Sequence, residues 1–321
     1  MTLLINLLML IGGIVLLIKG SDWFVDGASD IAKALRIPSL VIGLTIVAFG
    51  TSAPEAAVSI SASLTGVGEV AIGNVVGSNI FNLLMVVGIS SCIRKIYVEK
   101  SVIVRDYPFN ILITVVMLVM GLDVVLDNGA ANVLSRIDGI VLLCFFAVFM
   151  YYTVAGALND RQDMTEEAPE RKMLLSITFL IVGIICVVAG GKLTVDGASG
   201  IARFFNVSEN MIALAIIAIG TSLPELVTSV TALRKGEADI AIGNVIGSNL
   251  FNILFIAGMS ALIRPVAVRG DSVADALILS VVNLIVYALM LKNKATGRAC
   301  GAFMILMYVL FAVFVVMRGI A

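Results

Sequence analysis

Long apolar stretches alternate along the chain with short polar segments. A helix needs about 20 mostly apolar residues to cross a bilayer. The pattern therefore predicts ten membrane-spanning helices, near residues 3–32, 39–64, 70–93, 102–123, 136–157, 173–202, 210–233, 240–263, 273–292 and 299–317. The first and sixth are long and carry acidic residues in their second halves (Asp22, Asp26 and Asp196), so we expect them to tilt or bend.

Two of these stretches contain the same unusual sequence. Residues 48–55 read AFGTSAPE and residues 218–225 read AIGTSLPE. A second pair of matching segments follows, AIGNVVGSNIFN at 71–82 and AIGNVIGSNLFN at 241–252, and its two copies lie as far apart along the chain as those of the first pair. The polar segment 159–172 divides the chain into halves of five predicted spans, so the second copy enters the membrane from the opposite side. This arrangement predicts two inverted five-helix repeats, 1–158 and 173–321, joined by a cytoplasmic linker, as in many secondary transporters.

Composition supports an all-α polytopic membrane protein. Of 321 residues, 60% are hydrophobic and 13% charged, against about 25% charged in soluble domains, and the mean hydropathy is +1.11. The chain has no histidine, and its four cysteines are widely spaced in apolar stretches, so no His or Cys metal site is expected. We see no nucleophile–base pair and no cofactor fingerprint. We therefore expect no enzyme activity, no cofactor, no nucleic acid and no obligatory protein partner besides the lipid bilayer.

Basic residues in the loops predict the orientation, because cytoplasmic loops carry an excess of Lys and Arg. With both termini outside the cytoplasm of a cell (inner) membrane, the cytoplasmic loops hold fourteen: Lys33, Arg36, Arg94, Lys95, Lys100, Arg105, Arg161, Arg171, Lys172, Arg234, Lys235, Lys292, Lys294 and Arg298. The other side holds five: Arg136, Arg203, Arg264, Arg269 and Arg318.

The first motif pair places a glutamate and a helix-breaking proline inside each apolar stretch. A carboxylate near mid-membrane is expensive and is usually functional. Pro54 and Pro224 cannot donate to the carbonyls of the preceding turn. The carbonyls of Gly50 and Gly220, and those of Ala48 and Ala218 if the turn opens, then become available. With the hydroxyls of Thr51, Ser52, Thr221 and Ser222 on the face of Glu55 and Glu225, these are hard oxygen ligands. Such oxygens suit Ca2+, Na+ or Mg2+.

The second motif pair adds polar groups four residues apart, Ser78 with Asn82 and Ser248 with Asn252. Two ionised glutamates carry a charge of −2, which one Ca2+ or two Na+ neutralise. An empty site keeps that charge uncompensated. Reorientation of the carrier without a bound ion is therefore costly, and exchange is favoured over leak.

The paired segments GTSxPE (50–55 and 220–225) and GNxxGSNxxN (73–82 and 243–252) resemble the α-repeats of the cation/calcium exchanger superfamily, most closely its prokaryotic sodium/calcium antiporter branch. The resemblance covers nearly the whole chain. It implies a core of spans 2, 3, 7 and 8, with spans 1 and 6 lying across it and shifting to alternate access. It also implies a Ca2+ site at Glu55 and Glu225 with backbone oxygens at Thr51 and Thr221. The implied Na+ ligands are Ser52, Ser222, Ser78, Ser248 and the Ala48 and Ala218 carbonyls, with Asn82 and Asn252 completing the middle of the site.

Asn252 stands where some relatives carry aspartate, so the site has two carboxylates and not three. The expected activity is electrogenic Na+/Ca2+ antiport. The alternatives are a H+/Ca2+ exchanger, in which the glutamates carry protons, a K+-dependent exchanger of the same fold, and a cation channel. The hydroxyls near the acids favour Na+, which needs such ligands where a proton does not.

A reporter fused to the C-terminus tests the predicted orientation. An enzyme that is active only outside the cytoplasm should be active there, whereas the same enzyme fused within 159–172 should be inactive. Activity of the linker fusion and silence of the C-terminal fusion would reverse the orientation.

Overall fold

The computed structural model describes residues 3–126, 129–160, 171–207, 212, 218–293 and 295–320. In this part of the chain, eight helices are long and apolar enough to cross a membrane, and a bent pair makes a ninth span. In order, the helices are α1 (Leu3–Leu35), the bent pair α2 (Ser39–Thr51) and α3 (Ala53–Thr65), α4 (Glu69–Ile93), α5 (Val102–Met120), the short α6 (Asp123–Leu126), α7 (Arg136–Asp160), α8 (Met173–Phe204), α9 (Ala218–Gly220), α10 (Leu223–Lys235), α11 (Ala238–Ile263), α12 (Gly270–Asn293) and α13 (Arg298–Ile320).

These bounds agree with nine of the predicted spans to within a few residues, so the all-α membrane architecture is confirmed. The seventh predicted span is represented by α9 and α10, and its residues 210, 211 and 213–217 lie outside the described residues. Residues 161–170 of the predicted linker also lie outside them. The count of ten and the division into two repeats stay predictions. The long helices α1 and α8 each run without interruption, over 33 and 32 residues, and their tilt or bend stays a prediction.

Helices α4 and α11 form the centre of the molecule. In α11, 94% of the most apolar stretch is buried, and in α4 72%, whereas the other long spans bury 11–44%. Those outer helices expose many large aliphatic side chains, among them Leu8 and Ile11 of α1 and Leu174 and Ile185 of α8. An all-round buried helix belongs to a core, and an apolar exposed face suits lipid. The helices α4 and α11, which carry the second motif, are therefore largely shielded from the bilayer.

A row of glycines packs α1 against α8 in antiparallel orientation. A Cβ added to Gly13 would lie 2.6 Å from the Thr194 backbone nitrogen, and one added to Gly27 would lie 2.6 Å from the Leu180 nitrogen. On α8, Gly183 approaches Phe24 in the same way. Small residues let membrane helices approach closely and pack by van der Waals contact. The two long helices thus form one tightly packed pair.

Two short strand pairs join loops at opposite ends of the molecule. Strand β1 (Ile96–Tyr97) pairs with β4 (Ala295–Thr296), and β2 (Val133–Leu134) pairs with β3 (Val266–Ala267), both antiparallel. The predicted topology places the loops of β1 and β4 on one side of the membrane and the loops of β2 and β3 on the other. The pairings agree with this relative sidedness.

The acids in the second half of α1 bind basic residues at the helix ends. Asp26 lies 2.5 Å from Lys235 Nζ and 3.1 Å from Arg171, which also contacts Asp30 at 3.0 Å. Asp26 is therefore a partner of basic side chains, which compensate its charge. These ion pairs connect the second half of α1 to Lys235, at the end of α10, and to Arg171, just before the start of α8.

Neighbouring glycines provide a test of the α1–α8 packing. The Gly13→Ala variant should lower the thermal unfolding midpoint, since its methyl group overlaps α8 and overpacking costs about 1–3 kcal/mol. The matched control is Gly12→Ala, whose Cβ meets no atom within 4 Å among the described residues and should be neutral or stabilising because alanine favours helix over glycine. Equal midpoints for the two variants in detergent would contradict this packing.

Candidate cation-binding site

Each copy of the first motif breaks its helix at a serine. Ser52, between α2 and α3, has φ −82° and ψ 8°, and Ser222, between α9 and α10, has φ −94° and ψ 7°. The next helix begins with a proline in its first turn, a position where the missing N–H group costs no hydrogen bond. In the first half the two helix segments meet at a bend of 51°.

The break puts each glutamate in the first turn of a new helix. Glu55 lies there in α3 and Glu225 in α10, and both side chains are 0% exposed. Backbone N–H groups and the helix dipole favour a carboxylate at this end of a helix. Two carboxylates are therefore buried inside the protein, each at the start of a helix.

Each serine at a break donates to the glutamate of the other half. Ser52 Oγ donates to Glu225 Oε1 at 2.8 Å, and Ser222 Oγ donates to Glu55 Oε1 at 2.9 Å. The expectation that Ser52 and Ser222 share the face of their own glutamate is wrong, because the helix breaks at each serine and its hydroxyl reaches the glutamate of the other half. The two bonds cross between the halves and bring the carboxylates into one site.

The remaining hydroxyls of the predicted set lie around this crossing. Ser78 Oγ is 3.0 Å from Ser222 Oγ and 3.5 Å from Glu55 Oε1. Thr51 Oγ1 and Ser248 Oγ lie 3.2 Å and 3.4 Å from the Ala48 carbonyl oxygen, which also accepts from a backbone N–H group. The Ala48 carbonyl is thus engaged by protein donors, whereas the sequence suggested a free one.

Thr221, Ala218 and the two motif asparagines complete the predicted set. The Thr221 hydroxyl has no hydrogen-bond partner among the described residues, and Ala218 begins α9 directly after the undescribed residues 213–217. Asn82 and Asn252 lie in π-helical turns, Asn82–Val86 and Phe251–Ala257. Such turns are rare and occur often at functional sites.

Besides the Thr221 hydroxyl, four buried carboxylate and amide oxygens of the site accept no hydrogen bond from the described part of the chain: Glu55 Oε2, Glu225 Oε2, Asn82 Oδ1 and Asn252 Oδ1. An unsatisfied buried polar group costs about 1–3 kcal/mol, and more when it is charged. Each half supplies one carboxylate and one amide oxygen. In the described residues no three His, Cys, Asp or Glu side chains come together. Two carboxylates with neutral oxygens are a donor set for a hard cation.

Sequence reasoning missed a second layer of side chains. Asn74 Nδ2 donates to Ser59 Oγ at 3.0 Å and lies 3.4 Å from the Glu55 carbonyl oxygen. Asn244 Nδ2 repeats these contacts with Ser229 at 2.9 Å and the Glu225 carbonyl at 3.3 Å. The signal was present, because these residues recur at the same offset as the motif pairs. They hold each glutamate-bearing helix against α4 or α11.

Comparisons with known proteins find relatives that match nearly the whole chain. The family model described as "Sodium/calcium exchanger protein" matches residues 5–155 and 175–317. The chain is 38% identical over 304 residues to the "Putative antiporter CaxA" of Alkalimonas amylolytica, covering 92% of each chain. It is 36% identical over 306 residues to the "Inner membrane protein YrbG" of Escherichia coli, covering 91% of each.

A third relative and a solved structure extend the similarity. The "Sodium/calcium exchanger MaX1" of Methanosarcina acetivorans is 33% identical over 342 residues, covering 96% of this chain and 98% of that protein. The structure of the sodium-calcium exchanger NCX_Mj soaked with zero Na+ and Ca2+ superposes with a TM-score of 0.83 at 32% identity. That match covers 96% of this chain and 98% of the other.

Replacing either glutamate tests the site directly. Ca2+ should stabilise the purified parent against thermal unfolding, by about 2.7 kcal/mol at a hundredfold excess over Kd. Glu55→Gln and Glu225→Gln should each lose most of this stabilisation, since each removes half of the charge that faces the cation. The matched control is Glu69→Gln, whose parent side chain is exposed and paired with Arg269. Full Ca2+ stabilisation of either site variant would rule out a two-carboxylate site.

Proposed function

Because this chain belongs to the sodium/calcium exchanger protein family, we propose that it exchanges Na+ for Ca2+ across the membrane by alternating access. The observation that carries the proposal is the set of four unpaired carboxylate and amide oxygens, two from each half, around two crossing serine–glutamate bonds. This donor set matches a hard cation in charge and in chemistry. The transported ions are the substrates of this activity.

Charge explains why the two ions exclude each other. Glu55 and Glu225 together bring −2 into a fully buried site, and one Ca2+ or two Na+ restore neutrality. Both ions need the negative charge of these two carboxylates, so the binding of one displaces the other. Reorientation of the empty carrier would move an uncompensated buried charge pair, which is costly. Exchange is then favoured over one-way leak.

We assign ligands by combining the geometry with the family resemblance. Ca2+ is held by the carboxylates of Glu55 and Glu225, with backbone oxygens at Thr51 and Thr221. The Na+ ions occupy flanking positions, and their ligands are Ser52, Ser222, Ser78 and Ser248. The carbonyls of Ala48 and Ala218 are assigned as further Na+ ligands on the resemblance alone, because protein donors engage the Ala48 carbonyl here. The amide oxygens of Asn82 and Asn252 face the middle of the site.

The α1–α8 pair is placed to control access. A Cβ added to Gly50 would lie 2.9 Å from Phe24 of α1 and 3.1 Å from Ile184 of α8. On the other half, Gly191 of α8 faces Pro224. The pair therefore contacts the core next to both helix breaks. Sliding of this pair as one body opens one end of the site as it closes the other.

The competing functions differ in their use of this site. A H+/Ca2+ exchanger needs only the two carboxylates, whereas here hydroxyl groups of Ser52, Ser78 and Ser222 surround them. A channel more often builds its filter from several subunits around an axis. Here both halves of one chain complete a single site. We therefore propose coupling to Na+.

The E. coli relative, which is named as an inner membrane protein, supports a location of this chain in the cell (inner) membrane.

Transport into proteoliposomes tests the coupling ion. Vesicles loaded with Na+ should accumulate external Ca2+, whereas vesicles loaded with K+ and vesicles with an acid interior should not. An inside-positive potential should speed the uptake if three Na+ leave for each Ca2+ that enters, because one net positive charge then leaves. Vesicles containing Glu225→Gln are the control for leak.

Uptake driven by the acid interior alone would replace this proposal with H+/Ca2+ exchange. Uptake that needs no counter-ion and shows single-channel currents would point to a channel. A rate that is indifferent to potential would refute electrogenic stoichiometry but leave Na+ coupling in place.

A further inference from the structure

Besides the proposed ligands, α4 and α11 carry a second pair of asparagines that makes crossing contacts in the same place. Asn82 Nδ2 donates to Asn249 Oδ1 at 3.1 Å, and Asn252 Nδ2 donates to Asn79 Oδ1 at 3.0 Å. All four side chains are 0–1% exposed. In both contacts the partner offers an acceptor to the amide nitrogen of a proposed ligand.

We propose that Asn79 and Asn249 are positioning residues that aim the amide oxygens of Asn252 and Asn82 into the cation site. The proposal deepens the proposed function, on which it rests, because it assumes that the site binds a cation. Neither residue needs to touch the ion. Each acts through the amide of the residue that does.

An asparagine amide has two ends of nearly equal shape, an oxygen acceptor and an NH2 donor. Its shape therefore does not decide which end faces the site, and its hydrogen-bond partners do. Because Asn249 and Asn79 present acceptors, the nitrogens of Asn82 and Asn252 turn toward them. The oxygens then face away from these partners, and both lack a donor among the described residues. A reversed amide would present N–H groups to a cation and repel it.

The two asparagine pairs are held differently. We call Asn79 with Asn252 the Asn79 arm, and Asn249 with Asn82 the Asn249 arm. Asn79 Nδ2 donates to the Asn249 backbone carbonyl at 3.1 Å, which fixes its own orientation. Asn249 Nδ2 has no partner in the described part of the chain, so the amides of Asn249 and Asn82 orient each other through one bond. The Asn79 arm is therefore anchored at both ends, and we expect its loss to have the larger effect.

The same geometry bears on residue 252. An ionised aspartate at this position would put a carboxylate oxygen where the Asn252 nitrogen now lies, 3.0 Å from Asn79 Oδ1. Two acceptors would then face each other. The Asn79 arm thus fits an amide at 252, in keeping with a site that has two carboxylates.

A purely structural role is the competing explanation, because buried asparagines also join membrane helices. The chain offers a matched control in Asn283, whose Oδ1 accepts from Asn110 Nδ2 at 2.7 Å between α5 and α12. Asn283 is 1% exposed and belongs to no contact of the cation site. Leucine at 79, 249 or 283 removes the same amide and keeps the same branched arrangement of heavy atoms.

The experiment measures equilibrium Ca2+ binding and thermal unfolding of the purified full chain without Na+. Asn249→Leu should raise the Ca2+ Kd about tenfold, because the amide oxygen of Asn82 is no longer oriented and such a contact contributes about as much as one hydrogen bond. Asn79→Leu should raise the Kd further. Their ion-free unfolding midpoints should fall no more than that of Asn283→Leu, which should keep the parent Kd. If Asn79→Leu does not fold, Asn249→Leu and the smaller Asn249→Ser carry the test.

An unchanged Ca2+ Kd in Asn249→Leu and Asn79→Leu, with midpoints lowered as in Asn283→Leu, would show a structural role and overturn the proposal. The binding assay contains no coupling ion, so a parent that binds Ca2+ but fails to exchange it for Na+ refutes only the proposed function. A parent that binds neither Ca2+ nor Na+ overturns both.

Discussion

Two carboxylates buried inside a membrane-spanning chain are the constraint on which the rest of the structure depends. Glu55 and Glu225 are 0% exposed, and each keeps one oxygen without a partner among the described residues. A charge in such a place needs compensation. The protein supplies part of it through the crossing bonds from Ser222 and Ser52. The remainder is the binding energy available to a cation, and exchange follows if the carrier rarely reorients without one.

Other features of the fold serve this arrangement. The proline-containing breaks place each glutamate in the first turn of a helix, where the backbone N–H groups stabilise a carboxylate. The central helices α4 and α11 bring the second motif against these breaks and are the most buried of the spans. The glycine-packed α1–α8 pair contacts the core beside the breaks at Gly50 and Pro224. Rigid packing within the pair and contact with the breaks together suit a pair that moves as a unit.

Sequence alone predicted much of this, and the reason lies in which features are local. Hydropathy located the spans because the bilayer sets a length, and Glu55 with Pro54 stood out because lipid tolerates neither without cause. The partners of these residues are set by tertiary packing. That Ser52 serves Glu225, that Ala48 accepts bonds from the protein and that Asn79 meets Asn252 all depend on how the halves cross. The strand pairs between distant loops likewise left no hydropathy signal.

The central claim is that both halves build one site for which Ca2+ and Na+ compete. Calorimetric titration of Ca2+ into the full chain at a series of Na+ concentrations tests it most directly. The account predicts one competed Ca2+ per chain and a Ca2+ Kd that rises more steeply than in proportion to Na+, because more than one Na+ replaces each Ca2+. A Ca2+ Kd that is independent of Na+, or unchanged when Glu55 and Glu225 are both glutamine, would contradict it.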